Sequence, residues 1–138
     1  YRQAGSPKAA KSSPFTDVTD SWSVDAINWA FEKGVVNGTS PTTFSPNDAI
    51  TRQDMATILY NYTKNVLDLD VYDTADLTGY PDYSSISDYA RTPLSWAVAQ
   101  GLILGVGNSN GVDTLQPKGD ATRAQTATII MRFCQNVL

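Results

Sequence analysis

The sequence predicts an all-α fold of tandem helix-loop-helix repeats packed around a shared helical core. The first observation behind this is a duplication. Trp22 and Tyr89, Trp29 and Trp96, Gly34 and Gly101, and Gly38 and Gly105 each stand 67 residues apart, whereas Pro46 and Pro117, and Arg52 and Arg123, stand 71 apart. The offset changes near Gly107–Asp113, so the second copy carries extra residues in a surface loop, where insertions are tolerated. The second observation is spacing. Met55, Ile58, Leu59, Tyr62 and Val66, and later Ala127, Ile129, Ile130, Phe133 and Val137, follow the period of a buried helical stripe. The third is that capping residues and glycines punctuate both copies at matching places.

In the first copy, Ser21 or Asp20 can cap a helix over 22–33, with Gly34 supplying the left-handed residue that ends it. A turn-rich loop containing Gly38, Pro41 and Pro46 follows. Thr51 then opens a long helix over 51–66. In the second copy Pro93 occupies the place of Ala26. Since an interior proline costs about 3 kcal/mol, Thr92 is expected to cap a helix over 93–100 with Pro93 at its first position, and 87–91 to form a separate turn. The last helix is expected over 122–137, and no substantial sheet is expected. Residues 1–14, polar and with two prolines, read as a linker tail; 15–66 and 80–138 are the repeats, and the acidic stretch 67–79 is a connector.

Composition excludes several functions. The net charge of −4 argues against nucleic acid as a partner, which would require a basic patch. No apolar run is long enough for membrane insertion. The absence of histidine removes the usual general base and the commonest metal ligand. A lone Cys134 can form neither an intrachain disulfide nor a thiolate zinc site, and its setting between Phe133 and Val137 predicts a buried structural thiol. The stretch from Asn108 to Asp113 has calcium-loop character but lacks the closing carboxylate, so a polar turn is expected. No enzyme activity, metal or cofactor is expected.

The candidate ligand-binding residues come in repeated pairs. Both long helices open on threonine then arginine, with Asp54 or Gln125 three residues after the threonine, as in a capping box. Arg52 and Arg123 are cations at a helix N-terminus, where the dipole disfavours them. They either pair with a nearby aspartate such as Asp48 or Asp120, or hold a carboxylate or phosphate together with free helix amides. Trp29 and Trp96 either fill the core, the commoner role of a tryptophan, or present a ring to a sugar beside Gly38 and Gly105, where bare backbone permits close approach. Asp17 and Asp82 precede the first helices and suit caps or turns.

These segments together resemble the S-layer homology repeat of bacterial surface proteins: Phe15-Thr-Asp17, Trp22, Trp29-Ala30, Gly34 to Gly38, Phe44-Ser-Pro46 and Ile50-Thr-Arg52, with Tyr80-Pro-Asp82 through Ala121-Thr-Arg123 repeating them. The resemblance runs from Phe15 to about Phe133. It implies an extracellular, noncovalent cell-wall anchor binding an anionic secondary cell-wall polymer, commonly a pyruvylated amino sugar, in grooves between repeats. The resemblance carries the family's arginine over to Arg52 and Arg123; together with Trp29, Trp96, Gly38, Gly105, Asp17 and Asp82 from the pairs above, these are the expected ligand-binding residues. The family's Thr-Arg-Ala-Glu motif here reads Thr-Arg-Gln-Asp and Thr-Arg-Ala-Gln. Three repeats are usual; a third upstream of Tyr1, one from another chain of the same protein, or none are the alternatives. A protein–protein or self-assembly module of a surface-layer protein is the competing function.

Overall fold

A computed structural model describes residues 1–107 and 110–138. Asn108 and Ser109, within the expected polar turn, lie outside the described residues. Four α-helices are present among the described residues: α1 (Ser21–Glu32), α2 (Arg52–Asn65), α3 (Arg91–Ala99) and α4 (Arg123–Asn136). The sheet content is one antiparallel pair, β1 (Val106–Gly107) with β2 (Asp113–Thr114), which closes the loop that is longer in the second copy. The expected helical class holds. Contacts divide the chain into two units, Tyr1–Asp48 and Ala49–Leu138, so α2 belongs to the unit that also contains the whole second copy.

In the first unit, α1 starts after Asp20, which takes the N-cap position without a side-chain hydrogen bond. It ends in a paired turn: Gly34 at φ 66° donates to the Phe31 carbonyl and Val35 donates to Ala30. Only a residue without Cβ adopts that backbone cheaply, as the sequence required. Residues 1–14, expected to be a linker tail, are held against α1. The Tyr1 ring meets Trp29 with centroids 5.7 Å apart, and Ser13 bonds the Asn28 amide oxygen.

In the second unit, α3 begins at Arg91, two residues earlier than expected, directly after a 3-10 turn over Asp88–Ala90. Pro93 is therefore third in the helix, and Thr92 does not cap it. The placement costs little because the amides of the first turn have no intrahelical acceptor to lose. Gly101 and Leu102 close α3 as Gly34 and Val35 close α1, donating to Val98 and Ala97. The connector lies along α3, with Ala75 N–H donating to the Ser95 carbonyl and Val71 and Leu77 buried.

α2 packs along α3. Met55, Ala56, Leu59 and Tyr62 are buried on α2, and Ile129 and Phe133 on α4, while Ile58 is half-buried. Three expectations fail on α4: Ala127 is exposed, Ile130 is 47% exposed, and Cys134 is exposed rather than buried. All three project from a face of α4 that stays exposed among the described residues.

Candidate functional site

Threonine caps both long helices. Thr122 accepts from the Gln125 amide at 3.1 Å, and the Gln125 side chain accepts from the Thr122 amide at 3.1 Å, a complete capping box. Asp54 is one methylene shorter and makes no such return bond. Its carboxylate instead accepts from the Thr51 hydroxyl at 2.6 Å and from the Tyr89 hydroxyl at 2.6 Å. Burial, followed by the bond and charge of Asp54, pushes the Tyr89 phenol up to about 12. Gln53, which does not recur because Ala124 takes its place in the second copy, is buried. It accepts from the Ser87 amide and donates to the hydroxyls of Ser87 and Tyr89.

The two arginines have opposite fates. Arg52 is 4% exposed, and its guanidinium donates from Nε to the Leu115 carbonyl at 2.9 Å and from Nη2 to the Leu104 carbonyl at 2.8 Å. Arg123 is exposed. Neither forms an ion pair; among the described residues the pair found is Arg91 with Asp88. The expected pairing with Asp48 or Asp120 is found for neither, and the two differ in cover because the second copy's loop folds over the start of α2. Burial pulls the Arg52 pKa down, and the charge of Asp82 pushes it back up. An arginine stays cationic at neutral pH in either case.

Asp82 and Asp17 perform one task in the two copies. Asp82 accepts from the amides of Leu115 and Gln116 at 3.0 and 2.8 Å; Asp17 accepts from those of Phe44 and Ser45 at 2.9 and 2.7 Å. These clamps hold Ser45 and Gln116 at φ 59° and 49°, left-handed conformations uncommon for residues with side chains. The clamp on Leu115 also fixes the carbonyl that receives Arg52. Both aspartates thus position loops, and both oxygens of each are already occupied.

The aromatic and glycine candidates are accounted for by packing. Trp29 and Trp96 are buried, so the sugar-stacking alternative is corrected: Trp96 meets the edge of Tyr60 at 5.7 Å, and Trp29 meets Tyr1. At Gly38, φ is 79° and a Cβ would fall 2.4 Å from the Phe15 ring and 2.6 Å from the Thr43 carbonyl. At Gly105 a Cβ would fall 2.7 Å from that of Asp113. The glycines let their own loops close.

One groove of about 330 Å³ in the second unit gathers several of these residues. Arg52, Leu104 and Gly105 form one side, and Gln125, Thr128 and Arg132 of α4 the other. No acidic residue lines it. Arg132 is half-buried and leans on the Leu102 carbonyl at 3.4 Å. It carries no repeat signal, because Asn61 stands at the matching place in the first copy. Of the residues expected from the sequence, Arg52 and Gly105 line this groove, and Asp82 supports it from behind through Leu115.

A profile of the S-layer homology domain matches residues 14–56 and 79–127. The Surface-layer 125 kDa protein of Lysinibacillus sphaericus is 35% identical over 124 residues, which is 89% of this chain and 10% of that protein. The Endoglucanase of Bacillus sp. strain KSM-635 is 36% identical over 132 residues, 94% of this chain and 13% of the enzyme. The S-layer protein sap of Bacillus anthracis is 31% identical over 128 residues, 91% of this chain and 14% of that protein. The chain thus spans only about a tenth of the length of these relatives. With two profile matches that fall on the two copies of one helix-loop-helix pattern, the chain belongs to the S-layer homology domain family.

Proposed function

We propose that this chain is a non-catalytic anchoring module that holds its parent protein at the bacterial cell surface by binding an anionic secondary cell-wall polysaccharide. The observation that carries this reading is the groove: two guanidinium groups, Arg52 and Arg132, and no carboxylate, in a protein of net charge −4. Arg52 keeps Nη1 without an acceptor among the described residues, since its bonds run from Nε and Nη2. A sugar-borne carboxylate, such as a pyruvyl ketal, would accept from that group and from Arg132. Such charge-assisted bonds are the strong ones, and a planar carboxylate suits the arginine fork. The repeats 15–66 and 80–138 meet in this reading through α2, which brings Arg52 to the second copy's loop. Asp82 acts as a positioning residue, and Asp17 as its counterpart in the first unit.

The test is retention on purified cell-wall sacculi before and after acid extraction of their polymers. Retention that disappears on extraction supports the reading. Equal retention on extracted sacculi would overturn it.

A further inference from the structure

Two asparagines of the chain stand directly before a glycine, Asn37 and Asn110. Asparagine is a labile residue, and most so there, because a glycine amide has no neighbouring side chain to keep it from the carboxamide carbon of the preceding residue. In a folded chain the reaction needs that amide free and the carboxamide unoccupied. Asn110 is already engaged with a partner. At Asn37 both conditions are met. Asn37 and Gly38 are exposed, and among the described residues neither the Asn37 carboxamide nor the Gly38 N–H has a hydrogen-bond partner.

Other asparagines are guarded. Asn28, Asn61, Asn65 and Asn136 lie in helices, where the next amide is committed to a carbonyl one turn back. Asn47 precedes Asp48, whose amide donates to the Ser45 carbonyl at 3.1 Å. The openness at Asn37 belongs to the loop itself. Its counterpart Leu104 is 50% exposed although its carbonyl receives Arg52, and the Gly105 amide after it also lacks an acceptor among the described residues. A side chain at this place faces water whether or not a helix start docks on the loop.

We propose that Asn37 is a site of spontaneous deamidation. The Gly38 nitrogen gives up its proton and attacks Asn37 Cγ, the bond from Cγ to the carboxamide nitrogen breaks, and ammonia leaves as a succinimide closes. Water then opens the ring at Cγ, giving aspartate, or at the main-chain carbonyl carbon, giving isoaspartate. No oxidant or cofactor enters. Aspartate adds only an exposed charge. Isoaspartate routes the backbone through the side chain and lengthens it by a carbon atom just before Gly38. There is no slack for this. A Cβ on Gly38 would already stand 2.4 Å from the Phe15 ring, and the next amide, that of Thr39, is held by the Thr43 carbonyl at 2.9 Å. Phe15 in turn packs on Phe31 and Phe44, with centroids 5.2 and 5.4 Å away. Isoaspartate therefore loosens the core of the first unit, and aspartate does not.

Incubation of the folded chain at a series of mildly alkaline pH values, followed by peptide mapping that separates aspartate from isoaspartate, tests this. Both products should appear at Asn37 at a rate that rises with hydroxide, while the helical asparagines and Asn47 stay intact. The isoaspartate chain, resolved by chromatography, should melt below wild type. Asn37→Asp and Asn37→Gln should melt with wild type, and Asn37→Gln should form no product. An Asn37 that stays intact in the folded chain, while the urea-unfolded chain converts, overturns the proposal. So does aspartate without isoaspartate at a rate indifferent to pH, the mark of direct hydrolysis, or an isoaspartate chain that melts with wild type.

Discussion

Tyr62 of α2 and Phe133 of α4 are counterparts in the two copies, and their rings touch, with centroids 6.1 Å apart and planes at 62°. A position that meets its own counterpart lies close to the axis relating the two helices. Ile50 and Ala121, also counterparts, meet through a backbone hydrogen bond just before the helices begin. The long helices are thus tied at two levels by residues that the duplication made equivalent.

Phe133→Ala should cost about 3–5 kcal/mol, the usual cost of emptying an aromatic site in a core. Ile130→Ala, on the uncovered face of the same helix, should stay within about 0.5 kcal/mol in dilute protein, as exposed substitutions do. Urea denaturation of both variants checks the contrast. Equal losses would mean that α4 buries a different face.

Arg52→Ala should lower stability by about 1.5–3 kcal/mol, because it removes hydrogen bonds from a charged donor and strands the Leu104 and Leu115 carbonyls. Arg52→Lys should recover only part, since one ammonium cannot reproduce the fork. Arg123→Ala should be nearly neutral, because Arg123 is exposed. Melting temperatures for the three variants separate a buried arginine from an exposed one that opens its helix after the same threonine.

The amides of Phe44 and Ser45 hold the Asp17 carboxyl below its ordinary value of 3.8. A depressed pKa means that the ionised form is favoured in the folded state. The clamp's contribution is therefore complete above the unfolded value and is lost as the pH falls through the lower folded one. Asp17→Asn should be less stable than wild type at neutral pH, and the gap should close as the pH drops below 3.8. Unfolding midpoints measured from neutral to strongly acidic pH decide this; a gap that stays constant would show that the carboxylate charge is irrelevant to the clamp.

Arg132→Ala should weaken retention on sacculi by about ten- to a hundredfold, the loss of one charge-assisted bond. Stability should hardly change, because the bond of Arg132 to the Leu102 carbonyl is long at 3.4 Å. Wild-type retention should also fall with added salt, and the variant should depend on salt less. Unaltered retention by Arg132→Ala would remove this arginine from the ligand site.

Local rules in the sequence were enough to determine the four helices, the left-handed Gly34 and Gly101 stops and the Thr122–Gln125 box. Each depends on residues within one turn of each other, so spacing alone reports them. α3 starts two residues before the expected position because a first-turn proline is tolerated at more than one position. The site was less legible. Arg52 and Arg123 open their helices with the same dipeptide, yet one is buried on two carbonyls 52 and 63 residues away and the other faces outward. The same holds for Thr63 and Cys134, and for Leu59 and Ile130. What separates each pair is whether another helix and its following loop pack over that helix face, as α3 does on α2, and this is fixed by long-range contacts that neither helix encodes. Arg132 enters the groove only because α4 is brought opposite the Leu102–Val106 loop. The sequence by itself determined which segments are helical and which residues recur; only the tertiary structure decided which copy of each residue is covered, because burial depends on what packs against a surface and periodicity reports only the surface.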